Sequence, residues 1–432
     1  MKRSKLILLG SLGAVAIAAV LIASPYAINK KGEYSKNQLS FLQENSINDD
    51  AAAWFAARYF DPSTGERITS AKLKLIDKAV KSMNNSKALP LTWEEKGPDN
   101  IGGRTRSIVI DKNNNNNIWA GSVTGGIFRS TNKGTNWSKV ETYPGSKFIS
   151  SMTQLQNGAI VAATGMSYAP WSEVWEGDGV WISTDDGVSW NIVANTNTAA
   201  FSQIREIVAA PNSNKIWLTT NSGLKSWTFG DATLTNVTTT SGASTAVQIS
   251  NDGSVIVASI GAGKTFVSTD GGNSFNDKSG SGAGLVPIGA ARMEYAISPT
   301  KNAQGKYNLY ACRTTTATLI GMNVSQDNGE TWSQFVGSSN TTGNLNIYSN
   351  QAGYNSVVAV DPTDPEKILI GGLDVWKWKQ TSNNPIAGGF EKLSLWYANP
   401  GTSSVYVHAD NHEFKFANDS FTGWHSINLE LF

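Results

Sequence analysis

Three sets of residues in this 432-residue chain have types and spacings that could do chemistry: acids in recurring Ser-x-Asp-x-Gly boxes, a pair of histidines, and a group of arginines. The boxes read STNKGTNW from Ser130, STDDGVSW from Ser183, STDGGNSF from Ser268 and SQDNGETW from Ser325. Adjacent acids in the second box invite a calcium-loop reading. The spaced run of oxygen ligands and the distal Glu of such a loop are missing. Each residue type has a local use instead. Asp folds back onto backbone N–H groups two residues on, Gly supplies positive φ, and the closing Trp or Phe wedges into apolar surroundings. A catalytic acid is needed once, whereas Asp185, Asp270 and Asp327 recur, and Asn132 replaces the acid in the first box. Asn keeps the acceptor and loses the charge, which suits a turn. A structural role is therefore expected for Ser130, Asn132, Gly134 and Trp137, and for Ser183, Asp185, Gly187 and Trp190. The same holds for Ser268, Asp270, Gly272 and Phe275, and for Ser325, Asp327, Gly329 and Trp332.

The histidines are His408, His412 and His425. His408 and His412 are four apart, a zinc spacing on a helix. The surrounding VYVHADNHEFKF alternates like a strand, which would set them roughly 13 Å apart, so no metal site is expected. The one cysteine, Cys312, excludes an internal disulfide and lies in an apolar run, where it reads as a small buried hydrophobe. Nothing in the chain calls for a cofactor.

These groups need elements to position them, and composition points to many short strands: 41 Gly, 15 Trp and 16% charged residues. Lys plus Arg number 35 against 34 Asp plus Glu, with no basic cluster, so nucleic acid is not an expected partner. Lys2, Arg3 and Lys5 precede an apolar run from Leu6 to Ala23, so residues 1–27 read as a signal peptide or an uncleaved anchor. Either places the remainder outside the cytoplasmic membrane, secreted or at the cell surface. Residues 28–95 carry helical periodicity, with Leu73, Ile76 and Val80 on one stripe.

From 96 to 432 the pattern alternates and repeats. Each unit has an apolar strand, a polar turn, a second strand, a Gly-containing turn and a third strand, and the fullest units end in a box. Ser226 and Lys377 hold the place of the box serine in two weaker units. The intervals between successive units, 42 to 57 residues, fit a four-stranded propeller blade. The expected fold is an all-β propeller of about seven blades: six clear units and a last, incomplete one beginning at VYVHADNHEFKF. The final GWHSINLELF does not read as a blade.

The boxes resemble the Asp-box, or BNR, repeats of sialidases, xyloglucan-degrading glycoside hydrolases and sortilin. The stretch WEEKGPDNIGGRTRSIVID, from Trp93, is similar to large exported bacterial propeller proteins. The resemblance implies a β-propeller whose boxes sit at outer hairpins, away from the central site. Such relatives continue with further blades and often a C-terminal sorting domain, so a fragment or shortened product is expected here.

The resemblance also sets the functional alternatives. A sialidase would need three arginines for a substrate carboxylate, a Tyr–Glu pair and an Asp acid. Arg106 and Arg205 start inner strands in matching units, with Arg104 and Arg292 nearby in register and Arg313 as a further candidate. The competing reading pairs them with acids such as Glu206 or Glu294. A xyloglucanase would need two aspartates, one in an early T-D-x-G-G stretch, and the matching SVTGG from Ser122 has no acid. Asp111, Asp361 and Asp374 remain, the first two in turn contexts. No catalytic residue is assigned. The insertion at 165–179 carries Tyr168, Trp171 and Trp175 among polar residues, a pattern suited to sugar faces or protein hot spots. The expected function is an exported or surface binding protein for an extracellular glycan or protein, touching a membrane only through an N-terminal anchor. The alternatives are a glycoside hydrolase of the two types above and a structural or adhesive surface protein.

Overall fold

The computed structural model describes residues 104–427, apart from short gaps at 168–173, 238–241, 262, 338–344, 400–402 and 420–422, and a few positions between 60 and 82. The chain divides into two compact units, Met1–Pro90 and Leu91–Phe432. In the first, the described positions 72, 75, 76, 78, 79 and 82 are helical, and Lys72 pairs with Asp61. Leu73, Val80 and the apolar run 6–23 lie outside the described residues. No helix among the described residues is long and apolar enough to cross a membrane.

Among its described residues the second unit has six antiparallel four-stranded sheets and two two-stranded ones. The first blade is β1 (Thr105–Ile110), β2 (Ile118–Ser122), β3 (Gly126–Ser130) and β4 (Ser138–Lys139). The second is β5 (Ile149–Gln154), β6 (Ile160–Thr164), β9 (Val180–Ser183) and β10 (Asn191–Ile192), with a side hairpin of β7 (Met166–Ser167) and β8 (Val174–Trp175) between its second and third strands. The third is β11 (Ile204–Ala209), β12 (Lys215–Thr220), β13 (Gly223–Thr228) and β14 (Thr235–Asn236). The fourth is β15 (Ser244–Ile249), β16 (Ile256–Ile260), β17 (Lys264–Ser268) and β18 (Asn276–Asp277). The fifth is β19 (Arg292–Lys301), β20 (Tyr307–Thr314), β21 (Leu319–Ser325) and β22 (Ser333–Val336). The sixth is β23 (Val357–Asp361), β24 (Asp364–Gly371), β25 (Val375–Asn383) and β26 (Ile386–Lys392). A seventh position holds a two-stranded sheet, β27 (Lys415–Asp419) with β28 (Gly423–Ile427).

The first strands adjoin one another in the order β1, β5, β11, β15, β19, β23, and β27 lies beside β1. That is a β-propeller with its inner strands around a central tunnel. The core lies between blades. One apolar cluster joins each successive pair, as Val109 and Trp119 of the first blade meet Ile149 and Trp190 of the second, and Tyr310 of the fifth meets Trp378 of the sixth. Trp119, Trp217 and Trp378 are almost wholly buried, each contributing roughly 4–6 kcal/mol of gross apolar burial before conformational entropy is set against it.

The boxes join third strands to fourth strands. In the second, Ser183 Oγ donates to Asp185 Oδ1 at 2.8 Å and accepts from the Gly187 N–H at 2.7 Å. Asp185 accepts from the Ser189 N–H and hydroxyl. The boxes from Ser268 and Ser325 repeat this scheme. In the first, Asn132 Oδ1 takes the Ser130 hydroxyl and the Asn136 N–H. Hydrogen bonds from Ser189 and Ser274 hold the Asp185 and Asp270 carboxyls below the usual range. Asp186 has a local place in the box. It adopts φ +59°, as Lys133 and Asn328 do at the same place in their boxes, and it pairs with Arg129 of the preceding blade at 3.2 Å. The box glycines lean on that neighbour: a Cβ on Gly187 would come within 2.6 Å of Trp119, and one on Gly272 within 2.7 Å of Trp217.

Two expectations change at the C-terminal end. Residues 408–414 form no strand, and the strand begins only at Lys415. The GWHSI segment, which does not read as a blade, forms β28 and pairs with β27 in register from Lys415↔Ile427 to Asp419↔Gly423. Its five residues are too few to show alternation, and pairing with β27 decides the outcome.

Candidate functional site

Each blade has an even number of antiparallel strands, so the chain returns to the face it left. All inner strands therefore start on one face, together with the turns between second and third strands. The boxes, at the turns between third and fourth strands, lie on the opposite face. The 165–179 insertion, between β6 and β9, shares the face on which the inner strands start. Its base is held by the Gly177 N–H on Ser202 O at 2.7 Å and by Asp178, which accepts from Ser146 N–H and Trp181 Nε1. Tyr168 and Trp171 lie outside the described residues, and Trp175 is described only as backbone of β8.

Near their starts, four inner strands carry a bulge. The register slips between Thr105 and Ser107, Ile149 and Ser151, Ile204 and Ile207, and Ser244 and Val247. A bulge re-aims side chains that strict alternation would turn away, and here both Arg205 and Glu206 line the tunnel. The bulged segments also clamp neighbours. Ser107 Oγ accepts from the Met152 N–H at 2.8 Å, Ser151 Oγ from the Ile207 N–H at 3.1 Å, and Glu206 Oε2 from the Val247 N–H at 2.7 Å. Glu206 Oε1 takes the Gln248 side-chain amide. In this strand a carboxyl thus fills the place that a serine hydroxyl fills in each of the two preceding blades.

The tunnel encloses about 490 Å³ and is lined by Arg106, Arg205, Arg292, Glu206, Glu294, His412, Glu413 and Lys415, among others. Arg106, Arg205 and Arg292, which sequence places in register, do converge there, and all three are engaged. Arg292 donates to Glu294 at 2.6 Å and to the backbone carbonyls of Gly353 and Ser356 at 3.0 and 2.8 Å. Arg106 donates to His412 Nδ1 at 2.9 Å and to Tyr354 O at 3.4 Å. Arg104 and Arg106 lie over the Tyr354 ring, 4.8 and 5.1 Å from its centroid, and His412 meets that ring edge-on. The 353–356 loop is therefore grasped from the fifth blade and the first, across the seventh position. Arg104 is exposed and does not line the tunnel. Arg313 does not either: it is buried in β20 and reaches Asn323.

A guanidinium only donates, so His412 Nδ1 accepts and the neutral ring carries its proton on Nε2. Enclosure and the nearby Arg106, Arg292 and Arg104 hold its pKa well below the ordinary value. Enclosure and the neighbouring Glu294 push the Glu206 carboxyl up to about 8, against the pull of the Val247 N–H. Glu294 is raised by the same enclosure, with Arg292 opposing. Glu413, 2.8 Å from Lys415, raises the lysine. The Lys415 side chain is 45% exposed.

No family model and no curated protein matches the sequence. Solved structures do. An ancestral GH74 enzyme is similar with a TM-score of 0.54 at 17% identity, over 76% of this chain and 43% of that one. The likeness shows a β-propeller fold. YCF48 from Cyanidioschyzon merolae matches at a TM-score of 0.44 and 12% identity, over 74% of this chain and 93% of its own. An auxiliary nutrient binding protein from Bacteroides thetaiotaomicron matches at 0.41 and 11%, over 63% and 67%. This chain spans less than half the length of the ancestral GH74 enzyme.

None of the aspartates considered for hydrolysis lines the tunnel. Asp111 and Asp361 each accept from a backbone N–H two residues on, at 2.8 and 2.9 Å. Asp374 is buried and takes Lys392 and the Trp396 N–H. Cys312 is buried beside the Tyr348 hydroxyl, and burial pushes its thiol up to about 11. Among the described residues no group of three His, Cys, Asp or Glu is arranged to hold a metal ion. Sequence reasoning missed His412, Glu413, Lys415 and Tyr354 as tunnel or mouth residues, and saw Glu206 and Glu294 only as partners for arginine.

Proposed function

We propose that this is an exported Asp-box propeller that binds an acidic group of an extracellular glycan or protein at the charged end of its tunnel, without turnover. The observation that carries the reading is the charge balance of that enclosed space. Four cationic side chains, Arg106, Arg205, Arg292 and Lys415, face three carboxyls, and one of these, Glu206, holds its proton near neutrality. An enclosed site with surplus positive charge favours an anion, since water there screens poorly. The hairpin of β7 and β8 lies between β6 and β9, on this face. Export rests on Lys2, Arg3, Lys5 and the apolar run after them.

The hydrolase alternative draws support from one feature, a Glu206 carboxyl raised to about 8 beside Glu294, as an acid–base pair requires. Both Glu206 oxygens already clamp β15, so binding is the better-supported reading. Glycan-array retention with parallel assay of released reducing ends tests it. Acidic glycans are expected to be retained intact, and retention is expected to fall at least tenfold when Arg205→Met and Lys415→Met are combined. Release of product, abolished by Glu206→Gln, would reverse the assignment.

A further inference from the structure

The tunnel changes character along its length. At the starts of the inner strands its wall is charged or hydroxylic, as described above. Farther along, the same strands present Val208, Ile249 and Ile297, β23 presents Ala359 at its middle, and β27 presents Phe416 next to Lys415. Thr153, Gln248 and Asn251 are polar residues in the same region. From Arg292 to Ile297 along β19 the two regions are roughly 16 Å apart at strand rise. Surplus positive charge at one end and an apolar wall at the other suit a ligand with the same asymmetry. A glycan would leave that wall in contact with hydroxyls, and an inorganic anion would not reach it.

We infer that the tunnel takes a small carboxylate bearing an apolar chain, its acid group near Arg205 and Lys415 and its chain against Ile249 and Ile297. This rests on the anion-binding part of the reading above and adds a ligand class to it. The acid group exchanges water for guanidinium and ammonium donors, and the chain removes apolar wall from water.

Titration calorimetry of the full chain with acetate, butanoate, hexanoate and octanoate tests this, with octanol and glucuronate as controls. Affinity is expected to rise on the order of fourfold per added methylene, octanol is expected to bind far more weakly than octanoate, and Arg205→Met to weaken every acid. Ala359→Leu, which narrows the tunnel, is expected to weaken octanoate more than butanoate. Its fold is checked by circular dichroism, and Ile297→Asn provides an independent second variant. Equal affinity from acetate to octanoate, or equal binding of octanol, would overturn the inference. In the first case, acids that still bind with Arg205 dependence leave the proposed function standing. If no carboxylate binds while acidic glycans are retained, this inference fails alone. If neither binds, both fail.

Discussion

Gly271 and Gly272 are adjacent and both have positive φ, yet they should respond unequally to substitution. Gly271 has φ +70° and open surroundings, since an added Cβ would meet only Gly253 O at 3.6 Å. Other boxes place Lys133, Asp186 and Asn328 there. Gly272 has φ +87°, and an added Cβ would come within 2.7 Å of Trp217 and 3.0 Å of Ile256. Gly272→Ala therefore combines left-handed strain of about 1–2 kcal/mol with overpacking of about 1–3 kcal/mol, for roughly 2–5 kcal/mol in all. Gly271→Asn should change stability by less than about 1 kcal/mol, because Asn tolerates the left-handed region. Urea unfolding followed by tryptophan fluorescence compares the midpoints at equal slope. The Gly272→Ala midpoint should fall well below both others. If the two variants unfold together, the interblade contact made by the box is not what fixes glycine at that place.

The Glu206 clamp predicts a pH dependence. Its folded pKa, about 8, exceeds the unfolded 4.5, so the folded state binds the extra proton between those values. Stability is full below pH 4.5 and declines as pH rises through 8, by on the order of 1 kcal/mol per unit at most. Glu206→Gln should remove that decline, so the variant gains on wild type in denaturant midpoint as pH rises from 4.5 to about 8. A parallel pair of curves would refute the clamp's protonation. Tyr354→Ala should destabilise by about 3–5 kcal/mol and, in hydrogen exchange, raise exchange at β1 and at 411–416 before the third and fourth blades. Uniform loss of protection would show that the 353–356 loop does not close the ring. In the second box, Asp185→Asn should keep the wild-type melting midpoint and Asp185→Ala should lower it. If Asn were as damaging as Ala, the charge and not the acceptor would matter there.

The repeat pattern made the blades legible because each blade solves the same local problem with the same residues. The box needs Ser, an acceptor, a left-handed position and Gly within eight residues, so it survives reading without coordinates. The tunnel was harder for two reasons. Alternation turns Arg205 and Glu206 to opposite faces, and only the bulge brings both inward. The partners of Arg106 are also remote in sequence, Tyr354 by 248 positions and His412 by 306. His412 belongs to a segment whose alternation suggested a strand where the chain runs irregularly. One signal was available: Glu206 stands near the start of its unit where Ser107 and Ser151 stand in theirs, a carboxylate where a hydroxyl would serve.

The most direct test is to measure binding and turnover of acidic glycans on the same samples of wild type and of the combined Arg205→Met, Lys415→Met variant. The account predicts retention of intact glycan by wild type and its loss in the variant, whose fold is intact by circular dichroism. Cleavage by wild type, or retention indifferent to both substitutions, would contradict it.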